Sequence, residues 1–297
     1  MAKVLVIGGT RFFGKNLVEL LLHRGNDVTL LTRGQTNDPF GDNIQRLVAD
    51  RTDESALQQA IGDQRYDIVY DNICYTPREA LAACRIFSGK TERYIVTSSL
   101  SVYSFGSEPL RESDVDTAHM AINHDADATF DYAEGKRQVE AVFLQQNDFS
   151  AAAVRFPIVL GPNDYTKRLH FHVGRVLRGQ TIVIPNPDAK MNFIHEEEAA
   201  RFLYWLGVDS ELTGPVNARS EEEITLVALM NEIERQTGCR AVVKSKGEES
   251  DQSPFGVPDS WIMDTSLAFH EGFRFYRLSE WLPELISYVA AEEKGEQ

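Results

Sequence analysis

The chain has 297 residues, 42% hydrophobic and 25% charged, enough to bury a large core in one big domain or two closely packed ones. A formal net charge of −15 disfavours general binding to nucleic acid, since such a surface repels a phosphate backbone and leaves room only for a local basic groove. No apolar stretch approaches the roughly 20 residues that span a bilayer, the first apolar run is too short for a secretory leader, and Cys74, Cys84 and Cys239 form no CxxC pair, so the expectation is a reduced, cytoplasmic protein.

Taken in chain order, KVLVIGG reads as a buried strand and GKNLVELLLHRG as a helix closed by Gly25. NDVTLLTRG and RLVAD read as strands two and three, ESALQQAIG as a helix, and YDIVYDNI as strand four. REALAACRIF reads as a helix and RYIVTSS as strand five. A loop-rich stretch from Ser104 to Thr129 follows, then a long helix, YAEGKRQVEAVFLQQ, and a sixth strand, SAAAVRFPIVLG. Strands alternating with helices of this length imply a parallel sheet with right-handed crossovers. Beyond it, FHVGRVLRGQ is predicted helical, NFIHEEEAARFLYWLG a strand end feeding a helix, PVNARS a strand, and EITLVALMNEIERQTG a helix stopped by glycine. KSKGEESDQSPFGVPDS is predicted to be an exposed loop and LSEWLPELISYVAAEE a closing helix.

Gly8, Gly9 and Gly14 lie where the first strand hands over to a helix. Glycines there permit a tight turn and close approach of backbone to a pyrophosphate, which the helix N-terminus then binds through N–H donors and its dipole. The middle glycine usual for such a turn is replaced by Arg11. Strand two ends Leu31-Thr32-Arg33-Gly34, without the acid that bonds the ribose hydroxyls of NAD. Arg11 and Arg33 can both reach a 2′-phosphate, so the expected cofactor is NADP, with NAD as the alternative. Asp50, ending strand three, is placed at the adenine edge.

Tyr132 and Lys136 are four apart on a predicted helix and share a face. Upstream, TSSLSVY follows strand five, on the side of an open parallel sheet where ligands bind. A serine hydroxyl there can bond a substrate oxygen. A tyrosine beside Lys⁺ and a cationic nicotinamide is expected to titrate below the ordinary value near 10, making it a usable acid/base partner for hydride transfer.

With GGTRFFG, LLTRG, YIVTSSLSVYS followed by PLRESD, YAEGK, RFPIVLGPND, NFIHEEEAARFL, PVNARSEEEITLVALM and DTSLAFHEGFRF in this order, the chain resembles an extended short-chain dehydrogenase/reductase of the NAD-dependent epimerase/dehydratase type over nearly its whole length. The resemblance implies a Rossmann-type doubly wound α/β fold with a smaller, discontinuous C-terminal substrate lobe: residues 1–160 with about 190–218 form the dinucleotide domain, and 161–189 with 219–297 the substrate domain. It implies Ser99 as the catalytic hydroxyl, Tyr132 as acid/base, and Lys136 as the residue that holds the ribose and lowers the tyrosine pKa. By position, Thr10, Phe12, Phe13, Arg51, Asn72 and Phe156 join the cofactor contacts, and Cys74, Ser101, Tyr103, Arg168 and His195 the substrate contacts. It also implies a homodimer across the YAEGK and REALAACRIF helices, and a net epimerisation or reduction of a small polar, sugar-like or nucleotide-sugar substrate.

Three departures bear on that substrate. Dehydratases of nucleotide sugars usually carry Asp-Glu after the catalytic hydroxyl, where this chain has Leu100-Ser101. Nucleotide-sugar epimerases commonly have Asn three residues after the strand-six Arg155, where Ile158 stands, and an arginine in the slot of Met191, beside Lys190. Lys167, Arg168, Arg175 and Arg178 are the cations available for a different anion clamp. The GGTRF and LTRG spellings also resemble a subgroup related to chloroplast stem-loop RNA-binding proteins, so a catalytically weak RNA-binding or redox-sensing member is the alternative. No metal is expected: His170 and His172 would share a strand face but lack a Cys or carboxylate at suggestive spacing. Glu196, Glu197 and Glu198 read as helix-start stabilisation.

Overall fold

A computed structural model describes residues 1–125 and 127–295; the last two residues of the predicted substrate lobe lie outside the described residues. The elements are β1 (Lys3–Ile7), α1 (Phe12–His23), β2 (Asp27–Thr32), β3 (Gln45–Val48), α2 (Glu54–Ile61), β4 (Tyr66–Asp71), α3 (Pro77–Phe87), β5 (Thr91–Ser99), α4 (Tyr132–Gln145) and β6 (Ser150–Phe156). They continue as β7 (Ile158–Leu160), α5 (Arg168–Leu177), β8 (Thr181–Val183), β9 (Lys190–Met191), β10 (Phe193–His195), α6 (Glu196–Tyr204) and β11 (Gly214–Asn217). The chain closes with β12 (Ile224–Thr225), α7 (Leu226–Thr237), β13 (Val242–Lys244), α8 (Ser266–His270) and α9 (Leu278–Lys294).

Seven parallel strands form one sheet in the order β11-β6-β5-β4-β1-β2-β3. The strand order reverses beside β1, and the C-terminal ends of β1, β2, β4 and β5 therefore open on one crevice. Alternation along the strands sorts the core onto both faces. Val4, Val6, Val28 and Leu30 pack with α1 and α6, whereas Leu5, Ile7, Leu31 and Val69 pack with α2, α3 and α4. Local chemistry sets the helix ends: Asp53 and Asp131 cap α2 and α4, Thr76 and Glu79 close a capping box on α3 with Pro77 at its first position, and left-handed Gly238 stops α7. A further core joins α5, α7 and α9 with β8, β9 and β10.

Three expectations are corrected here. The predicted sixth strand breaks at Pro157: β6 stays in the large sheet, while β7 pairs with β10 elsewhere. Proline offers no N–H to a central ladder, so the break falls there. The predicted exposed loop from 244 to 260 is partly core, because Phe255 is buried and stacks on His172 at 4.3 Å. His170 and His172 themselves lie on α5 rather than on a strand, so residues two apart face different ways. Among the described residues no cluster suits a metal ion, and no helix is long and apolar enough to cross a membrane.

His172 bonds the Arg168 carbonyl (2.8 Å) and the Ser253 hydroxyl (2.7 Å), and burial pushes its pKa down to about 4. The unfolded chain takes up this proton near pH 6.5, so the group's stabilising contribution is intact above that value and is lost as pH falls toward 4. His172→Phe is expected to flatten the acid limb of stability by about 2–3 kcal/mol, read from urea melts at pH 7 and 4.5. An unchanged acid limb would show that His172 is not held neutral.

Candidate active site

The loops that follow β1 to β6 line one cleft of about 1000 Å³. It begins at the glycine turn. Gly8 has φ +82°, a backbone state that side chains resist, and a Cβ on Gly14 would lie 2.5 Å from the Gly8 carbonyl oxygen. The first turn of α1 has neither a capping side chain nor an acidic residue, so its leading N–H groups are open to an anion. Arg11 is extended (φ −138°) and needs no glycine; positive φ falls instead on Phe12 (φ 53°), a strained non-glycine conformation in the cleft wall. Asn72 pins the turn, donating to the Gly8 carbonyl (3.3 Å) while accepting from the Thr97 hydroxyl (2.8 Å). These residues fit a dinucleotide pyrophosphate.

At the outer end, Arg11 and Arg33 are exposed, line the cleft and make no ion pair among the described residues. Arg11 donates weakly to the Thr36 hydroxyl at 3.4 Å. Asp50 faces them; the hydrogen bonds from Thr52, with some help from Arg33, hold its carboxyl below the usual range. Arg51 also touches the cleft, but its guanidinium is buried and spent on Asp71 (2.6 Å) and the Glu79 carbonyl (3.1 Å).

At the inner end, Tyr132 opens α4, Ser99 ends β5, and Lys136 lies one turn along from Tyr132. Ser99 Oγ accepts the Ser101 N–H at 3.1 Å. Lys136 is buried; its ammonium donates to the carbonyls of Cys74 (2.8 Å) and Thr97 (2.7 Å) and stands over the Tyr75 ring at 4.5 Å. Burial lowers its pKa to about 8. It sits 5.8 Å from the Tyr132 ring centre, behind the phenol rather than against it. Within the protein alone, without the cationic nicotinamide that the expectation included, the Tyr132 phenol is raised: the cleft walls raise it, and the Ser99 hydroxyl and Arg168 only partly oppose them.

A buried ion pair fixes the floor under Ser99. Glu140 accepts from Arg155 Nε (3.0 Å) and Nη2 (2.6 Å), from Ser98 Oγ (2.5 Å) and from Thr117 Oγ1 (2.8 Å). Arg155 Nη1 also donates to the Tyr103 hydroxyl (2.8 Å), which donates to Asn217 Oδ1 (2.8 Å). The loop before α4 is thereby tied to β5, β6 and α4.

The cleft thus gathers Gly8, Thr10, Arg11, Phe12, Phe13, Gly14, Arg33, Asp50, Arg51, Asn72, Ser99, Ser101, Tyr132, Lys136, Phe156 and Arg168. Four expected contacts are not among its lining residues. Gly9 turns toward Val6, Val18 and Leu30, where a Cβ would come within 2.9 Å of each. Cys74 is buried and offers only its carbonyl, to Lys136. Tyr103 is spent in the Arg155 network, and His195 caps α6 and leans on Trp281 at 5.2 Å. Tyr75, Tyr165, Pro254 and Trp261 line the cleft without having been expected there. Tyr75 was legible, four residues past the end of strand four; Pro254 and Trp261 come from a distant polar stretch that carries no local signal.

The profile of the NAD dependent epimerase/dehydratase family matches residues 4–215. The chain is 28% identical over 244 residues to the chloroplast stem-loop binding protein of 41 kDa b of Arabidopsis thaliana, and it spans 61% of that protein's length while 76% of this chain is covered. Among solved structures, the Bordetella bronchiseptica enzyme WbmH in complex with NAD⁺ superposes with a TM-score of 0.74 at 18% identity, covering 99% of this chain and 100% of that one. UDP-glucose 4-epimerase of Thermotoga maritima, solved with UDP-glucose, gives 0.76 at 16% identity, covering 99% of each chain. At such identities these structures share the fold.

Proposed function

This chain belongs to the NAD-dependent epimerase/dehydratase family, and from that premise we propose that it transfers a hydride between NADP(H) and a hydroxyl-bearing or keto carbon of a small polar substrate, with net epimerisation or reduction. The observation that carries the reading is the convergence of Ser99, Tyr132 and Lys136 at the inner end of the cleft whose outer end is the glycine turn. When bound, the nicotinamide cofactor supplies or accepts the hydride. Ser99 orients the substrate oxygen, and Tyr132 moves the proton at that oxygen. Lys136, buried behind Tyr132, holds positive charge and a ribose-facing donor in place.

The preference for NADP rests on two guanidiniums without an ion pair among the described residues, Arg33 just after β2, where the sequence holds no acid, and Arg11 at the start of α1. Denaturing the purified protein and weighing what is released identifies any resident cofactor. Arg33→Asp is expected to weaken NADPH about 10- to 100-fold, the worth of a charge-assisted hydrogen bond, and NADH less than threefold. Equal losses, or release of stoichiometric NAD, would remove the 2′-phosphate assignment.

The Arabidopsis relative's name supports a second reading, stem-loop RNA binding. The net charge of −15 opposes it, and RNA affinity falling steeply with salt would favour it. A homodimer across α3 and α4 would have to include the loop before α4, because Gln138 bonds the Ala121 carbonyl and Gln145 the Met120 carbonyl along that helix.

A further inference from the structure

Resting on the hydride-transfer reading, we infer that the substrate is a compact molecule with a single oxyanionic group, a carboxylate or a phosphate monoester, seated on Arg168, and not a nucleoside diphosphate. Most cations of the smaller lobe and of the inner cleft wall already have partners. Arg175 is spent on Asp251 (2.7 Å), the Thr181 carbonyl (2.6 Å) and the Ser250 carbonyl (2.7 Å). Arg178 pairs with Glu293 at 2.9 Å, Lys167 with Glu292 at 2.7 Å, and Lys190 with Glu223 at 3.2 Å. Arg219 is enclosed by the carbonyls of Met263, Ser220 and Glu222. Lys136 faces two carbonyls, and Arg51 faces Asp71.

Arg168 differs from all of these. It is half-buried, lines the cleft and has no ion pair or side-chain hydrogen bond among the described residues. Arg168 and Tyr132 line the same cleft, and the Arg168 charge acts to lower the Tyr132 phenol. A guanidinium in that setting matches one carboxylate or phosphate bidentately. A diphosphate carries two such groups, and the cations named above have no guanidinium or ammonium to spare for the second, while Leu100, Pro157, Ile158 and Val159 make part of the cleft lining apolar.

Two further side chains support a compact, acceptor-bearing ligand. Among the described residues, Ser101 Oγ and Trp261 Nε1 are buried without a hydrogen-bond partner, and both residues line the same cleft. Buried donors are normally satisfied, so these two are available to acceptor atoms of a ligand once local side chains adjust. One cavity of about 1000 Å³, the upper end for a single small-molecule site, has to hold dinucleotide and substrate together.

Calorimetric titration of the protein, first with NADP⁺ and NAD⁺ in separate samples and then, once saturated with the tighter of the two, with glucose, glucose 6-phosphate, glucuronate and UDP-glucose, tests this. Glucose 6-phosphate or glucuronate is expected to bind at least tenfold tighter than both glucose and UDP-glucose, and whichever binds tighter identifies the oxyanion. Arg168→Met should erase that advantage while keeping NADP⁺ affinity, and Arg168→Lys should retain most of it. UDP-glucose binding tightest, neither anion exceeding glucose, or an unchanged ranking in Arg168→Met overturns the inference. Failure to take up either NADP⁺ or NAD⁺ in the first titration overturns the hydride-transfer reading together with the inference built on it.

Discussion

Tyr132→Phe is expected to bind NADP(H) as the parent chain does and to lose turnover by two to four orders of magnitude, the usual worth of a positioned proton-transfer group. The removed atom is one hydroxyl on a side chain that is 55% exposed at the first position of α4, so the core is untouched. The loss would therefore be chemical. The protein's own groups leave the phenol raised, because enclosure in the cleft outweighs the Ser99 hydroxyl and Arg168, while the Lys136 ammonium is committed to two backbone carbonyls. Proton transfer from Tyr132 should then be favoured on the reduction side, where the substrate oxygen takes up a proton, and slowed on the oxidation side until pH rises. Cofactor titration and single-turnover rates on the same preparation separate binding from chemistry. Full activity in Tyr132→Phe would end the mechanism.

Glu140→Ala is expected to destabilise the fold by about 3–5 kcal/mol, because it leaves the buried Arg155 charge without its carboxylate. Four hydrogen bonds converge on Glu140, from Arg155 twice, Ser98 and Thr117. Ser98 immediately precedes Ser99, so the same change should loosen the end of β5 and lower turnover in whatever fraction stays folded. Denaturant melts monitored by far-ultraviolet circular dichroism give the first number. A loss under about 1 kcal/mol would mean that Arg155 finds other compensation, its carbonyl contacts to Glu112 and Val115 being the available ones.

How much of this was legible beforehand depended on range. The strands could be read because Val4 to Ile7 and Val28 to Leu31 are buried on both sheet faces, which makes the first an unbroken apolar run and the second one interrupted only by Thr29. The glycine turn and the Tyr132–Lys136 spacing could be read because a tight turn and a shared helix face are properties of a few consecutive residues. Those local rules determined the parallel α/β fold, the crevice end of the sheet and the pairing of Tyr132 with Lys136 on one helix face. Charge pairing obeys no local rule. Lys167 meets Glu292 across 125 residues and Arg175 meets Asp251 across 76, so only the tertiary structure decides that Arg168, unlike its neighbours Lys167 and Arg175, has no ion pair among the described residues. It likewise turns Tyr103 and His195 away from the cleft and brings Trp261 to it. A side chain's task at a site follows from which partners reach it first in three dimensions, and the partners that matter here lie far apart along the chain.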